Sequence, residues 1–305
     1  MDANTKKRIK EIGGEAVLFD VPMSQYTTFK VGGNAEAIYR AGNLEELKEM
    51  MAFIMDGEIP YLILGEGSNL LVRDGGLDGV AIILDGYFAS VEDNNMAEPC
   101  ILSGAGLLLN KLVNFCAEKG LAGVEFLAGI PGTLGGGVAM NAGSGAQEIK
   151  DVIREVTVLT EGGMLERRDS LNLRFKYREL DLNIGEIILS AILNLRRDKP
   201  ASIRKRVISI IKRRKERFPL DMPSAGSIFK NPEGNHAGRL IDAAGLKGRS
   251  IGGAMISIKH ANFIVNKGNA SASDILALMD LAIVKVREMF NIQLSPEIKI
   301  VGEPR

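Results

Sequence analysis

A glycine-rich tract is the sequence feature that most limits how this chain can fold. Seven of the seventeen residues in GIPGTLGGGVAMNAGSG, at positions 129–145, are glycine. Glycine has no Cβ, so the backbone can turn sharply here and its N–H groups can approach a phosphate closely. The tract is also typical of turns that only join closely packed strands, and taken alone it favours that second interpretation.

A second glycine loop follows a predicted strand in YLILGEGSNLLVRDGG, at positions 61–76. Gly65 and Gly67 bracket a tight turn, Ser68 and Asn69 offer hydrogen-bonding side chains, and Arg73 lies nearby. Two such loops in one chain favour a bound nucleotide. The sequence contains neither GxGxxG nor a P-loop motif, so any dinucleotide must bind to another type of fold.

The length of 305 residues predicts two or three domains. Short apolar runs alternate with glycine turns, which predicts an α+β fold. The predicted domains are residues 1–85, 86–197 and 198–305, with the C-terminal strand as a candidate to return to the first. The predicted strands are residues 35–39, 61–64, 80–84 and 297–301, and the predicted helices are residues 44–55, 201–217 and 273–290, the last capped from residues 269–273.

Composition excludes several classes of partner. The 38 basic and 38 acidic side chains cancel, so no global field favours nucleic acid or an anionic membrane. The charged N-terminal segment does not resemble a secretory signal, and no apolar run is long enough to span a bilayer, which predicts a cytoplasmic protein. Cys100 and Cys116 are expected to be reduced and structural. His236 and His260 lack ligand partners at metal-binding spacing, so no metal is expected.

The segment PSAGSIFKNP, residues 223–232, predicts a turn on which the Ser227 hydroxyl is accessible rather than packed in the core. Prolines at both ends discourage a helix, and Gly226 allows a sharp turn just before Ser227. Ser227 and Lys230 also match the SxxK motif of penicillin-binding proteins. That match is accidental in this interpretation, because the accompanying KTG and SDN motifs are absent and Pro232 disfavours the required helix.

Spacing alone gives three other features an ordinary structural interpretation rather than a catalytic one. Apolar residues at 171, 173, 175 and 177 alternate with basic ones that end at Arg178, which predicts a half-exposed strand. Glu297 lies opposite the apolar face of the terminal strand and is expected to be exposed. The basic run at residues 212–217 is typical of a solvated helix face, although it could attract a diphosphate.

Seven segments of the chain together carry a family resemblance. The segments are TTFKVGG (27–33), GEGSNLLVRDGG (65–76), GIPGTLGGGVAMNAG (129–143), FKYREL (175–180), PSAGSIFKNP (223–232), HANFIVN (260–266) and SPEIKI (295–300). In their order and spacing they resemble the UDP-N-acetylenolpyruvoylglucosamine reductases over nearly the whole chain. The compact stretch after Asn231 resembles the shorter class of this family, which lacks an extra tyrosine-bearing loop.

The resemblance implies an FAD-binding fold of the vanillyl-alcohol-oxidase (PCMH) type in two subdomains, residues 1–85 and 86–197, followed by a C-terminal α+β substrate-binding domain. It further implies FAD as cofactor and NADPH as hydride donor, with UDP-N-acetylglucosamine enolpyruvate entering the same cleft. The cofactor-binding residues it implies are Gly65, Glu66, Gly67, Ser68, Asn69, Leu70, Gly129, Ile130, Pro131, Gly132, Thr133, Gly136, Gly137, Asn141, Ala142 and Gly143.

The resemblance also implies three catalytic residues. Hydride from flavin N5 would add to the enolpyruvyl group, and Ser227 would then protonate the other carbon, since an enolic carbanion is basic enough to take a serine proton. Arg178 and Glu297 would stabilise the charge on the substrate carboxylate. A Glu297 that donates a hydrogen bond there must be protonated, so its pKa is expected to be raised by burial.

Tyr177, Lys230 and Asn231 are the implied substrate contacts, and a monomer is expected from the resemblance. Two alternatives stay open at this stage. A related FAD-dependent oxidase of a sugar or alcohol would share the fold, and a non-catalytic protein would bind a nucleotide without turnover.

Overall fold

The computed structural model describes residues 1–93 and 98–304, which form seven α-helices and twenty short strands. The helices are α1 (Ala3–Gly13), α2 (Leu44–Asp56), α3 (Leu109–Lys119), α4 (Leu134–Ala139), α5 (Pro200–Arg217), α6 (Ala237–Ala243) and α7 (Ala272–Phe290). The strands are β1 (Val17–Pro22), β2 (Asn34–Ala41), β3 (Tyr61–Leu64), β4 (Leu70–Val72), β5 (Leu77–Leu84), β6 (Val91–Asp93), β7 (Cys100–Gly104), β8 (Leu121–Ala122), β9 (Gly143–Ser144), β10 (Gln147–Glu148), β11 (Ile153–Leu159), β12 (Leu165–Asp169), β13 (Phe175–Lys176), β14 (Glu179–Leu180), β15 (Ile187–Asn194), β16 (Arg196–Arg197), β17 (Ser250–Ile251), β18 (Ala254–Ile256), β19 (Ile264–Asn266) and β20 (Lys299–Val301).

The chain forms two compact units, each assembled from three separate segments. The first unit comprises Met1–Leu18, Ala37–Glu66 and Gly79–Lys212. The second unit comprises Phe19–Glu36, Gly67–Asp78 and Arg213–Arg305. The division into domains at residues 85 and 197 stays a prediction.

Two sheets contribute to the first unit. One is a five-stranded antiparallel sheet in the order β12-β11-β15-β7-β6. The other has the order β1-β2-β5-β3, and within it β3 runs parallel to β5 with Tyr61 opposite Val80. Helix α1 packs against α2, whose residues Leu47, Met50 and Ile54 are fully buried.

The second unit is built around α7. One face of this helix is buried and joins a core that includes Phe29, Leu71, Phe229 and Ile298. Helix α7 packs against β17 and β18 of an antiparallel sheet in the order β17-β18-β19. Strand β20 pairs in parallel with β4 and places Lys299 opposite Leu70, so the chain's last strand joins one from the first quarter of the sequence.

The long helices follow the sequence patterns that predicted them. The side chain of Asn43 caps α2 by accepting from the Glu46 N–H at 2.9 Å. Ser271 caps α7 by accepting from the Asp274 N–H at 3.0 Å, which confirms the predicted cap. Helix α5 is also confirmed, and it buries Ile203 and Val207 while its basic side chains stay on other faces.

The half-exposed strand predicted over residues 171–177 is wrong. Leu171 is 93% exposed, and it lies in the 3₁₀ turn Ser170–Asn172. Only Phe175–Lys176 forms a strand, β13, which pairs with β14. The alternating pattern fails here because the chain reverses at once around Tyr177 and Arg178, leaving too few residues for a longer ladder.

The glycine tract contains a helix that its composition argues against, because glycine is about 1 kcal/mol worse than alanine in a helix. A local cap and a close approach to a distant residue account for the position of α4. The Thr133 hydroxyl accepts from the Gly136 N–H at 3.3 Å at the start of the helix. A Cβ on Gly135 would lie 2.8 Å from that of Ala105, so only glycine allows the helix to approach so closely.

Both cysteines are free and buried. Burial raises the pKa of the Cys116 thiol to about 12, and the charges of Glu125 and Asp93 add to the effect. A thiol with this pKa stays protonated at neutral pH, as expected of a structural residue. Among the described residues, no helix is long and apolar enough to cross a membrane.

We predict that Asp74→Ala destabilises the second unit. The Asp74 carboxylate accepts from the Ala272 and Ser273 N–H groups, both at 2.9 Å, and from the Ser273 hydroxyl at 2.6 Å. Its loss leaves the first turn of α7 without these partners, and the free energy of unfolding should fall by about 1–2 kcal/mol in urea titrations.

The control is Asp78→Ala, which removes an exposed carboxylate from the same unit. It should change the free energy of unfolding by less than about 0.5 kcal/mol. Equal losses in the two variants would contradict the capping role of Asp74.

Candidate active site

The residues predicted to act in catalysis lie in both units. Tyr177 and Arg178 belong to the first unit, whereas Ser227, Lys230 and Asn231 belong to the second. Glu297 also belongs to the second unit. The cofactor candidates divide in the same way, with Gly65, Glu66 and residues 129–143 in the first unit and residues 67–70 in the second.

The Ser227 turn has the form expected from its sequence. Gly226 has φ +76°, a left-handed conformation that glycine adopts without strain. Ser227 follows it on irregular backbone and is partly exposed. The next two residues, Ile228 and Phe229, are buried in the core of the second unit, so the turn presents a serine from a firmly anchored segment.

Asn262 holds that segment from one side. Its Oδ1 accepts from the Phe229 N–H at 3.0 Å, and its Nδ2 donates to the Phe229 carbonyl at 2.8 Å. Its own carbonyl accepts from the Ile228 N–H at 2.9 Å. Asn262 is only 4% exposed, so a single side chain replaces the neighbouring strand that the Ser227 segment would otherwise need.

Glu297 holds the same segment from the other side. The Glu297 N–H donates to the Ile228 carbonyl at 2.8 Å. The Asn69 Nδ2 donates to the Glu297 carbonyl at 3.2 Å, and the Lys299 N–H donates to the Asn69 carbonyl at 3.0 Å. A continuous row of hydrogen bonds therefore runs from Asn69 through Glu297 and Ile228 to Asn262.

This row brings together three residues that are far apart in sequence. Asn69 was predicted to bind cofactor, and Ser227 and Glu297 were predicted to be catalytic; the structure places them on adjoining backbone segments of one unit. Glu297 is partly buried rather than exposed, which corrects the expectation from strand alternation. Its raised pKa stays a prediction.

Lys230 and Asn231 continue the Ser227 segment. The Lys230 N–H donates to the Ser295 carbonyl at 2.9 Å, so its backbone extends the contact with the irregular segment before Glu297. The Asn231 Oδ1 accepts from the Ala237 N–H at 3.0 Å, at the first residue of α6. Asn231 thus has a structural contact in addition to its predicted contact with substrate.

The two glycine loops meet within the first unit. Glu66 Oε2 accepts from the Gly132 N–H at 2.5 Å. A Cβ on Gly65 would lie 2.7 Å from the Thr133 Oγ1, so the two loops approach each other closely at this glycine. Gly132 has φ +137°. Closely packed backbone with little side chain is the surface expected to cradle a diphosphate, so these residues fit the FAD implied by the sequence.

Arg178 lies at the tip of the β13–β14 hairpin. Lys176 pairs with Glu179, which leaves Tyr177 and Arg178 as a two-residue loop. Arg178 has φ +60°, which is uncommon for a residue with a Cβ and recurs at functional sites. Its guanidinium carbon lies 5.1 Å from the centre of the Tyr177 ring, and its Nη1 donates to the Asn141 carbonyl at 3.4 Å.

Sequence reasoning missed the supporting roles of Asn262 and Glu148. Asn262 interrupts the apolar run ANFIV, and a lone amide in such a run is typical of a side chain with buried hydrogen bonds. Glu148 follows the glycine tract with no comparable signal. Its contact with Arg178 depends on a hairpin that the sequence did not predict.

Comparison with known proteins identifies the family. Residues 218–301 match the family described as UDP-N-acetylenolpyruvoylglucosamine reductase, C-terminal domain, and residues 35–168 match an FAD binding domain. A reductase of that name from Caldanaerobacter subterraneus subsp. tengcongensis is 43% identical over 97% of both chains. The chain belongs to the UDP-N-acetylenolpyruvoylglucosamine reductase family.

Other members of the family agree. The reductase from Syntrophus aciditrophicus is 42% identical over 98% of this chain and 96% of its own. The crystal structure of the reductase from Thermus caldophilus is 39% identical, with a TM-score of 0.80 over 92% of this chain and 97% of that one. The predicted resemblance and the predicted FAD-binding fold are confirmed, whereas the individual site residues stay predictions.

We predict that Asn262→Ala loosens the Ser227 segment. The substitution leaves the Phe229 N–H and carbonyl without their side-chain partners, and each such buried group costs about 1–3 kcal/mol. Amide hydrogen exchange in a peptide covering residues 223–232 should become about tenfold faster or more, measured by mass spectrometry.

Asn266→Ala is the matched control. Asn266 is also 4% exposed, but its Nδ2 donates to the Phe29 carbonyl at 3.0 Å. This variant should lower stability and leave exchange at residues 228 and 229 near the parent rate. If both variants change exchange there equally, Asn262 has no specific hold on the Ser227 segment.

Proposed function

We propose that this protein reduces UDP-N-acetylglucosamine enolpyruvate to UDP-N-acetylmuramate with NADPH, through FAD, in peptidoglycan precursor synthesis. Family membership over nearly the full chain supports the reaction. The observation that carries the assignment of roles is the hydrogen-bonded row that joins Asn69, Glu297 and the segment after Ser227.

FAD, when bound, would supply the redox chemistry that carries a hydride from NADPH to the enolpyruvyl group. The residues that would hold it are those of the two glycine loops, residues 65–70 and 129–143. Their support comes from the contact between Glu66 and Gly132 and the close approach of Gly65 to Thr133. Asn141 is completely buried, and its Nδ2 donates two hydrogen bonds within the protein, so it would support the cofactor by holding the loop in shape.

Ser227 is the proton donor in this proposal. A serine hydroxyl is a weak acid, but an enolic carbanion is basic enough to take its proton. The donor must then be held in place, because misplacement by about 1 Å can cost 10²-fold in rate. The buried residues Ile228 and Phe229 and the bonds from Asn262 and Glu297 provide that rigidity.

Arg178 and Glu297 would stabilise the charge that develops on the substrate carboxylate. A guanidinium can bind a carboxylate through two parallel hydrogen bonds, and Glu297 in its protonated form can donate one more. Tyr177, Lys230 and Asn231 would contact the rest of the substrate. A basic side chain of residues 212–217 would attract the UDP diphosphate. A cytoplasmic location and a monomeric state stay predictions.

A related oxidase of a sugar or alcohol is not favoured, because relatives matching nearly the full chain carry the reductase name. A protein that only binds nucleotides is not favoured for the same reason. An oxidase would pass its electrons to oxygen, and a protein that only binds nucleotides would transfer none. One assay of NADPH consumption therefore separates these two alternatives from the reductase.

We predict that the purified protein is yellow and consumes NADPH only when UDP-N-acetylglucosamine enolpyruvate is present. Absorbance at the NADPH band measures the consumption, and the product should appear in equal amount. Rapid reoxidation by oxygen without that substrate would favour an oxidase. A protein that takes up no FAD would contradict the proposal.

We predict that Ser227→Ala separates the two halves of the reaction. Reduction of the flavin by NADPH should stay close to the parent rate, because no proton from Ser227 is needed there. Reoxidation by the enolpyruvyl substrate should slow by about 10²- to 10⁴-fold, the usual contribution of a general acid. Stopped-flow absorbance follows both steps.

Ser224→Ala is the matched control, since it removes a hydroxyl from the same turn. The backbone carbonyl of Ser224 keeps its bond from the Thr28 hydroxyl, at 2.7 Å, in this variant. Both steps should stay near the parent rates. Equal slowing of both steps in Ser227→Ala would refute its role as proton donor.

A further inference from the structure

Glu148 lies among the groups that surround Arg178 in the first unit. Its Oε1 is 3.9 Å from the Arg178 Nη1. Its Oε2 is 2.7 Å from the Lys150 Nζ and accepts from the Asn141 Nδ2 at 2.9 Å. The carboxylate therefore joins one arginine, one lysine and one buried amide.

Asn141 connects this group to the hairpin that carries Arg178. Its side chain is completely buried, and its second Nδ2 hydrogen bond goes to the Lys176 carbonyl at 3.1 Å. Its Oδ1 accepts from the Lys150 N–H at 3.3 Å, and its carbonyl accepts from the Arg178 Nη1 at 3.4 Å. One residue thus fixes both the backbone of the hairpin and the end of the arginine side chain.

Arg178 needs such support because it lies in a short hairpin loop. It occupies one position of a two-residue hairpin loop with φ +60°, so the short ladder beneath it cannot fix a side chain of this length. A long arginine side chain loses rotamer entropy when it is held in one orientation. Contacts made before substrate arrives reduce the loss that binding would otherwise require.

The Glu148 carboxyl is held in its charged form beside Arg178. Burial opposes ionisation of Glu148, but hydrogen bonds from Lys150 and Asn141, together with the charges of Lys150 and Arg178, outweigh it and lower the pKa of the carboxyl. Lys150 is the closer partner at 2.7 Å. The Arg178 Nη1 lies farther from the carboxylate, at 3.9 Å, and interacts with it mainly through its charge.

We propose that Glu148 and Asn141 are positioning residues for Arg178: they hold its guanidinium in the orientation that receives the substrate carboxylate. The proposal rests on the role of Arg178 given under Proposed function. Glu148 touches neither substrate nor cofactor in this account and acts only through Arg178.

The test compares Glu148→Ala with the parent, both loaded with FAD. Reoxidation of the flavin by the enolpyruvyl substrate should slow by about 10- to 100-fold, as is usual when an orienting partner is lost. Reduction by NADPH should stay within about twofold. Binding of the substrate to the oxidised protein, measured by calorimetry, should weaken, which provides a readout independent of turnover.

Two further variants make the comparison specific. Glu148→Gln keeps an acceptor for Asn141 but lacks the charge, so its effect should be intermediate; it carries the test if Glu148→Ala does not fold. Glu155→Ala is the matched control, because Glu155 lies 3.9 Å from Arg167 in the same unit, away from Arg178. It should leave reoxidation and substrate binding at the parent values.

A double-mutant cycle separates the two proposals. If Glu148 acts through Arg178, adding Glu148→Ala to Arg178→Ala should slow reoxidation no further. Full additivity, or equal slowing of both half-reactions in Glu148→Ala, overturns the positioning role. If reoxidation is slow in Arg178→Ala but normal in Glu148→Ala, only the positioning role of Glu148 is overturned. If reoxidation is normal in Arg178→Ala, the catalytic role of Arg178 is overturned as well.

Discussion

The paired hydrogen bonds between Asn262 and Phe229 are the interaction on which the second unit's site depends. The Ser227 segment has no regular secondary structure of its own, so its backbone groups need partners from elsewhere. Asn262 supplies them on one side and Glu297 on the other. Ile228 and Phe229 are buried and anchor the segment in the core. Ser227 lies directly before these two anchored residues.

Polar side chains in both units are used chiefly to hold backbone. Asp74 receives the first N–H groups of α7, and Asn141 receives the Lys150 N–H while donating to the Lys176 carbonyl. Hydrogen bonds to a charged acceptor are about twice as strong as those between neutral groups. Loops rich in glycine contribute few apolar contacts. Hydrogen bonds from polar side chains therefore stabilise these loops, whereas side-chain packing stabilises the helices.

Much of the fold was predictable because it follows local patterns. Helices α2, α5 and α7 have apolar faces at helical spacing, and α2 and α7 have capping residues beside them. Helix α4 was not predictable, because glycine is a poor helix former and the residue that α4 approaches closely, Ala105, lies far from it in sequence. The hairpin at Tyr177 was missed because alternation alone cannot show where a chain reverses.

The turn at Ser227 could be predicted from the sequence, whereas the contacts that support it could not. A serine after a left-handed glycine, and a conspicuous glycine tract, can be read from the sequence. That Asn69 and Glu297 lie side by side requires the pairing of β4 with β20, two strands separated by more than two hundred residues. Long-range pairing of this kind is specified by the whole core, so no single segment of sequence reveals it.

Under the proposed function, the contact between Glu66 and Gly132 would affect how FAD is retained. It links loops that are 66 residues apart, and each loop residue that is already ordered spares about 1–2 kcal/mol of backbone entropy at the moment of binding. A cradle shaped in advance changes little as its ligand arrives or leaves. Tight binding then results mainly from a slow dissociation rate of the ligand. The loops should be equally well ordered with and without the ligand.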